Sequence, residues 1–151
     1  MPTIQKNRMT AAQITTTSQP AQACADAELQ AVLQGFPEIV LALVFGSVAA
    51  GKATFASDLD IAVAARQALT LEQKIRIIGA LAAQTGRPID LIDLSTVGQP
   101  LLGQIVRYGR RLRGSDAAYG QLISRHLLEQ ADFVPLRNRI LAERRATWIG
   151  K

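Results

Sequence analysis

One uninterrupted apolar run, Ile39 to Phe45, limits the fold of this chain more than any other feature of its sequence. The run is seven residues long and three of them are β-branched, which is typical of a strand that is covered on both faces. Gly46 and Ser47 follow directly and end the run, since this pair favours a turn. The sequence therefore predicts a sheet strand buried inside a layered domain.

Elsewhere the hydrophobic periodicity predicts strands and helices that alternate through the middle of the chain, with helices at both ends. The predicted strands span 39–45, 58–63, 89–94 and 110–113, and the predicted helices span 21–34, 71–85, 99–108, 116–130 and 133–148. The strand at 110–113 is rich in arginine, which an edge strand tolerates. We expect an α+β (α/β) fold, with a small mixed β-sheet, flanking helices and a helical C-terminus.

The length of 151 residues and a hydrophobic fraction of 48% indicate one compact domain. Residues 1–20 are polar and without periodicity, so we predict a flexible N-terminal tail there and a single domain over 21–151. Met1 and Met9 are both plausible start residues. No apolar run approaches the roughly 20 residues of a membrane span, and the chain opens without a secretory signal pattern. A single cysteine, Cys24, excludes an internal disulfide and favours the cytoplasm.

The net charge of +5 is unevenly distributed along the chain. Up to Val106 there are seven Lys/Arg against eight Asp/Glu, and from Arg107 onward there are ten against four. A basic C-terminal third is compatible with a nucleic acid, a nucleoside triphosphate or an acidic protein partner, and charge alone does not choose among them.

The sequence Asp58-Leu59-Asp60 places two carboxylates on the same face of a predicted strand, since alternate residues of a strand face the same way. Such a pair repels itself unless a cation lies between the carboxylates. Hard divalent ions such as Mg²⁺ take oxygen ligands, and two such ions can activate an attacking oxygen and neutralise a leaving phosphate. Asp58 and Asp60 are therefore candidate metal ligands.

Gly46 and Ser47 are candidate phosphate-binding residues, since they stand where a strand gives way to a helical turn. Free backbone N–H groups and a hydroxyl at such a position can hold a phosphate, and glycine permits close approach of the backbone. The ten residues between Ser47 and Asp58 suffice for a short helix and a turn. This length would bring Asp58 back beside the first strand.

A third carboxylate is available from the next predicted strand, which contains Asp90 and Asp93. The two positions differ by three, so they face opposite sides of a strand and only one of them can join the aspartate pair. A lone Asp-x-Asp is usually a solvated strand end and a lone Gly-Ser is usually a turn. Their combination at this spacing, between apolar strands, favours a catalytic site. The chain contains no P-loop motif.

The combination of Gly46-Ser47, ten residues and Asp58-Leu59-Asp60 resembles the signature of the DNA polymerase β-like nucleotidyltransferase superfamily. The short chain and the strand 89–94 are similar to its minimal nucleotidyltransferase (MNT) branch, and the likeness covers about 39–113. The resemblance implies a polymerase β-like fold, with ATP as substrate and Mg²⁺, usually two ions, as cofactor. It implies that Asp58, Asp60 and Asp90 form the catalytic and metal-binding set, and that Gly46 and Ser47 bind the nucleotide.

The resemblance further implies the antitoxin of a HEPN/MNT toxin–antitoxin pair, which transfers AMP from ATP to a tyrosine hydroxyl of a HEPN-type ribonuclease toxin. The basic C-terminal helices, with Trp148 and four arginines, then provide a possible docking surface. Two alternatives stay open: an antitoxin that acts by binding alone, and a nucleotidyltransferase for small molecules such as aminoglycosides. Direct nucleic-acid binding is compatible with the charge but is not favoured.

The chain departs from the family pattern directly after Gly46-Ser47. Many members of the superfamily carry an arginine there, whereas this chain has Val48, Ala49 and Ala50. Lys52 is a candidate replacement for that arginine.

Overall fold

The computed structural model describes residues 19–51 and 57–149, which form four strands and five helices. In chain order these are α1 (Gln19–Gln34), β1 (Ile39–Phe45), α2 (Gly46–Ala49), β2 (Leu59–Ala65), α3 (Leu71–Thr85), β3 (Ile89–Asp93), α4 (Leu101–Tyr108), β4 (Arg110–Arg113) and α5 (Asp116–Ile149). The predicted α+β fold is confirmed.

The sheet is mixed, with strand order β3-β2-β1-β4. β1 pairs antiparallel with both β2 and β4, whereas β2 and β3 are parallel. A parallel pair needs a crossover connection, and α3 provides it. The register aligns Phe45 with Asp60 across the β1–β2 pair and Asp60 with Asp90 across the β2–β3 pair, so one end of the sheet gathers the predicted acidic residues.

Each face of the sheet has its own hydrophobic core, as the apolar run of β1 predicts. On one face, Ile39 and Val44 pack with side chains of α1 and α3, including Leu33 and Ile77. On the other face, β1 packs with α4 and α5 through a second cluster, which includes Leu43, Phe45, Leu102, Ile105 and Leu122. The sheet therefore lies between two helical layers.

The predicted edge strand β4 is present, and its arginines connect the sheet to the helices. Arg110 forms two hydrogen bonds to the Asp26 carboxylate of α1, at 2.7 and 2.8 Å, and a third to the carbonyl oxygen of Ala49 at 3.4 Å. The hydrogen bonds to Asp26 raise the pKa of Arg110, against the opposing effect of burial. Arg110 therefore links α1 to the end of α2.

The prediction of two C-terminal helices is wrong, because α5 runs without interruption from Asp116 to Ile149. Pro135 lies inside it. A proline in a helix interior removes one N–H donor and crowds the preceding turn, but it does not have to end the helix. Gln130 and Ala131, at the predicted break, are good helix formers and carry no stop signal.

Other boundaries differ from the prediction by small amounts. Helix α1 begins at Gln19, two residues inside the predicted tail, and the remainder of that tail, 1–18, lies outside the described residues. The suggested substitute cation Lys52 also lies outside them. Strand β2 begins at Leu59 rather than at Asp58.

None of the helices in the described part of the chain combines the length and the apolar character that crossing a membrane requires.

Candidate functional site

Asp60 lies directly beside Gly46, at the point where β1 passes into α2. A Cβ atom added to Gly46 would lie 2.1 Å from Oδ2 of Asp60, far inside van der Waals contact. Gly46 also has a φ of +71°, a conformation that L side chains rarely adopt. Both observations explain why the strand ends in glycine: the Asp60 carboxylate occupies the space that a side chain at position 46 would need.

Asp90 is the cross-strand neighbour of Asp60, so the two carboxyl groups face the same side of the sheet. The pKa of Asp60 is raised, first by burial, then by the charges of Asp90 and Asp58, and by a hydrogen bond between the Asp60 and Asp90 side chains. Among the described residues, no cationic side chain lowers the pKa of Asp60 in compensation. This part of the structure therefore concentrates negative charge at Asp60 and Asp90 without a counter-charge in contact with Asp60.

Asp58 precedes β2 and is exposed, but its charge still acts on Asp60. Among the described residues, no three His, Cys, Asp or Glu side chains are already arranged as a metal site. The available groups nevertheless suit a divalent cation, because neighbouring carboxylates supply the oxygen ligands that such an ion prefers.

Asp93 occupies the opposite face of β3 and does not join this cluster. Its carboxylate accepts hydrogen bonds from the backbone N–H and the hydroxyl of Ser95, at 2.9 and 2.6 Å, and lies 3.7 Å from Nζ of Lys74. Burial works to raise the pKa of Asp93, but the Ser95 hydrogen bonds and the Lys74 charge outweigh it, so the pKa is lowered. Of the two candidates on β3, Asp90 and Asp93, only Asp90 lies beside Asp60.

A cleft of about 720 Å³ opens above this cluster, and we call it the acidic cleft. Asp60, Asp90 and Gly46 line it on the side of the sheet and α2. Ser47 and Asp58 belong to the same corner of the fold but are not among its lining residues. The volume suits a nucleotide-sized ligand.

Helix α4 forms the opposite wall of the acidic cleft with Leu101, Gln104, Arg107 and Tyr108. Arg107 is the one cation that lines the cleft within the described residues, and it forms no ion pair with any of them. Sequence reasoning missed this wall. The signal was the 3.6-residue period: Leu102 and Ile105 face the core, which leaves Leu101, Gln104 and Tyr108 together on the adjoining face.

The fold and the acidic corner are those of a nucleotidyltransferase. The chain belongs to the polymerase beta nucleotidyltransferase family, whose model matches residues 27–118.

Among individual proteins, the chain is similar to the protein adenylyltransferase MntA of Shewanella oneidensis, with 33% identity over 79 residues. The match covers 52% of this chain and 57% of that relative, so it spans little more than half of the relative's length.

Solved structures give the same fold. A toxin–antitoxin complex crystallised with AMP-PNP contains a chain that aligns at a TM-score of 0.71 and 24% identity, over 78% of this chain and 96% of that one. A complex of a tri-AMPylated HEPN toxin of Shewanella oneidensis with its MNT antitoxin aligns at a TM-score of 0.60 and 24% identity, over 80% and 98%.

Proposed function

We propose that this chain is a Mg²⁺-dependent protein adenylyltransferase that transfers AMP from ATP to a tyrosine hydroxyl of a HEPN-type toxin. The observation that carries the proposal is the contact between Asp60 and Gly46 at the mouth of a nucleotide-sized cleft, with Asp90 beside it. The family membership and the similarity to MntA support the same activity.

The nucleotide would occupy the acidic cleft, with its phosphates toward Gly46 and Ser47. The bare glycine backbone and the start of α2 leave N–H groups available to phosphate oxygens. Arg107 offers a positive charge on the facing wall of the cleft. It would replace, from α4, the arginine that many superfamily members carry after the Gly-Ser pair and that this chain lacks.

Asp58, Asp60 and Asp90 would hold Mg²⁺, and the aspartate cluster fits that ion because it supplies carboxylate oxygens and no described cationic side chain compensates Asp60. Bound Mg²⁺ would supply electrophilic activation of the α-phosphate and neutralise the departing charge. Asp90 completes this set or accepts the proton from the attacking hydroxyl.

In the transfer itself, the acceptor oxygen forms a bond to the α-phosphorus while the bond to the β-phosphate oxygen breaks and pyrophosphate leaves. The hydroxyl proton passes to a carboxylate of the cluster or to water. The chain contributes mainly by positioning the two substrates and by holding charge where it develops. ATP is abundant in the cytoplasm, where we place the reaction.

The test is intact-mass spectrometry of a HEPN-type toxin after incubation with this chain, ATP and Mg²⁺. Wild-type protein should add AMP in whole steps, and Asp58→Asn with Asp60→Asn should add none while keeping its thermal unfolding transition. Asp93→Asn, on the opposite face, serves as the matched control and should still add AMP.

Three results would contradict the proposal. Full transfer by the double variant would reject the aspartate mechanism. A stable complex without AMP, formed equally well by wild type and double variant, would indicate an antitoxin that acts by binding alone. Transfer to an aminoglycoside but not to the toxin would indicate a small-molecule nucleotidyltransferase.

A further inference from the structure

A second cavity lies beside the acidic cleft, between α4 and α5. It measures about 290 Å³ and shares Gln104, Arg107 and Tyr108 with the acidic cleft. We call it the α4–α5 groove. Because the same three α4 side chains line both cavities, the groove and the cleft adjoin along α4.

Specific contacts hold the α4–α5 groove in shape. Nε2 of Gln99 and Nδ1 of His126 form a hydrogen bond of 2.9 Å between the start of α4 and α5. Gly103 allows the helices to approach, since a Cβ atom there would lie 3.1 Å from Cε1 of His126. The groove is therefore a fixed part of the fold.

The α5 residues that line the groove continue as a stripe along the rest of the helix. His126, Gln130, Phe133 and Arg137 line the groove, and their spacing of four, three and four residues places them on one helix face. At about 3.6 residues per turn, three further residues fall on the same face. The α5 stripe comprises His126, Gln130, Phe133, Arg137, Ile140, Arg144 and Trp148.

The described part of the chain leaves the outer portion of this stripe uncovered. From Gln130 to Ile149, every residue whose side chain the structure describes is exposed. Trp148 is 88% exposed, so it does not pack against the fold, and Ile140 is 43% exposed. A single helix of about 20 residues is marginal in water, and a row of exposed apolar side chains marks an interaction surface.

We propose that the acceptor protein docks along the α5 stripe through an amphipathic helix that carries apolar residues flanked by acidic ones. The inference rests on the proposed function, in which that protein is the HEPN-type toxin. The stripe alternates apolar residues with arginines, namely Phe133, Arg137, Ile140, Arg144 and Trp148. Apolar anchors one turn apart suit a helical partner, and the arginines between them suit acidic residues.

Charge and polarity distinguish this occupant from the other candidates. Residues 133–149 contain four arginines and one glutamate, so a second copy of α5 would bring like charges together. A nucleic acid would pair with the arginines and stack on Phe133 and Trp148, but it would leave the aliphatic side chain of Ile140 uncovered. An acidic, apolar protein helix covers all of them, and the stripe runs into the α4–α5 groove, which adjoins the acidic cleft where the acceptor hydroxyl must arrive.

The test compares two double variants that change the net charge equally on the same helix. Arg137→Glu with Arg144→Glu alters the stripe, whereas Arg139→Glu with Arg145→Glu alters positions that the helical period places outside it. Arg139 forms only an exposed pair with Glu143 at 3.4 Å, so its loss should matter little. For each variant, toxin affinity, AMP transfer to the toxin, and binding of ATP with Mg²⁺ are measured.

The stripe variant should weaken toxin binding and raise the KM for toxin on the order of tenfold or more, with kcat and ATP affinity close to wild type. The control variant should resemble wild type in all three measurements. Equal toxin affinity and transfer for both variants would overturn the docking surface and leave the proposed function standing. Toxin binding that depends on the stripe, without any AMP transfer, would overturn the function and leave the docking surface.

Two further measurements exclude the other occupants. Wild type should sediment as a monomer in the absence of toxin, and a single-stranded RNA probe should bind both variants alike. Self-association, or RNA binding, that only the stripe variant loses while it retains full toxin affinity would overturn the proposal.

Discussion

Asp60 and Asp93 lie on neighbouring strands but on opposite faces of the sheet. The surroundings of Asp93 stabilise its negative charge, and those of Asp60 destabilise it. Asp93 is 7% exposed and receives two hydrogen bonds from Ser95 and the charge of Lys74, which lower its pKa. Asp60 is desolvated by burial and repelled by the carboxylates of Asp90 and Asp58, so its pKa is raised. The protein neutralises the charge of Asp93 by itself, whereas no side chain among the described residues does so for Asp60, an environment that suits a bound cation.

This difference distinguishes a carboxylate with a structural role, Asp93, from a candidate ligand-binding carboxylate, Asp60, without reference to any relative. A carboxylate that the fold neutralises contributes to stability, and a cluster of carboxylates that the fold leaves charged is a candidate for ligand binding. Gly46 adds to the distinction, because its φ of +71°, which glycine adopts freely and other residues rarely, lets the backbone lie against the Asp60 carboxylate.

The largest expected effect is a difference in AMP transfer between variants of the two aspartates. Asp60→Asn should lower the rate of AMP transfer about 10³-fold or more, because it removes a charge needed for metal binding and transition-state stabilisation. Asp93→Asn should stay within about threefold of wild type, since its carboxylate does not face the cleft. The measurement is transfer of radiolabelled AMP under saturating ATP and Mg²⁺. Equal losses in the two variants would remove the functional distinction.

Substitution of two glycines tests whether the contact between Gly46 and Asp60 matters for activity. Gly46→Ala and Gly86→Ala both place an alanine at positive φ, +71° and +66°, but only the first brings a Cβ atom against Asp60; at Gly86 nothing lies within 4 Å. Both should lower the free energy of unfolding by about 1–3 kcal/mol. Gly46→Ala should also slow transfer about 10²-fold through misplacement of the carboxylate. Similar activity in both variants would contradict the importance of this contact.

The two aspartates should contribute to stability in opposite ways as the pH changes. Because the pKa of Asp93 is lowered in the folded state, its contribution to stability is present above the ordinary carboxyl pKa of 3.8 and is lost as the pH falls through the folded-state pKa. Asp93→Asn should therefore lower the free energy of unfolding by about 1–3 kcal/mol at pH 7.

The raised pKa of Asp60 has the reverse consequence, since its contribution is present below 3.8 and is lost as the pH rises through the folded-state value. Asp60→Asn should slightly stabilise the chain at pH 7 in the presence of a chelator. Chemical denaturation at pH 3 to 8 checks both signs. Destabilisation by Asp60→Asn in chelator would contradict this account.

The smallest expected effect concerns the cations on the two faces. Arg107 lines the acidic cleft, whereas Lys74 forms an ion pair with Asp93 on the other face of the sheet. Arg107→Ala should raise the KM for ATP about tenfold, through loss of a charge-assisted contact to phosphate. Lys74→Ala should leave the KM for ATP unchanged and reduce stability instead. Steady-state kinetics with varied ATP checks the pair, and an unchanged KM for Arg107→Ala would exclude Arg107 from phosphate binding.

The sequence predicted the parts of the site that depend on local rules. The face of β2 that carries Asp60 and the glycine at the end of β1 follow from strand periodicity and backbone freedom, whereas Asp58 lies just before the strand. The choice between Asp90 and Asp93 did not, because periodicity shows only that they face opposite sides. It is settled by the parallel register that aligns Asp90 with Asp60, which is a tertiary fact.

The same limit explains the other omissions. Arg107 was missed because its place across the cleft depends on how α4 packs against the sheet, not on its own neighbours in sequence. The unbroken course of α5 was missed because the residues around the predicted break, 131–132, do not by themselves show whether two helical segments are continuous. The α5 stripe became visible only with the helix uninterrupted.

The most direct test of the central claim is measurement of the carboxyl pKa values of Asp60 and Asp93 by carbon-detected NMR, with and without Mg²⁺. Without Mg²⁺ the pKa of Asp60 should lie above 3.8 and that of Asp93 below it. Added Mg²⁺ should lower the pKa of Asp60 and leave that of Asp93 unchanged, since a cation favours the charged form of the carboxylates that it contacts. If Mg²⁺ moved neither value, or moved both alike, the acidic cleft would not be the cation site on which this account depends.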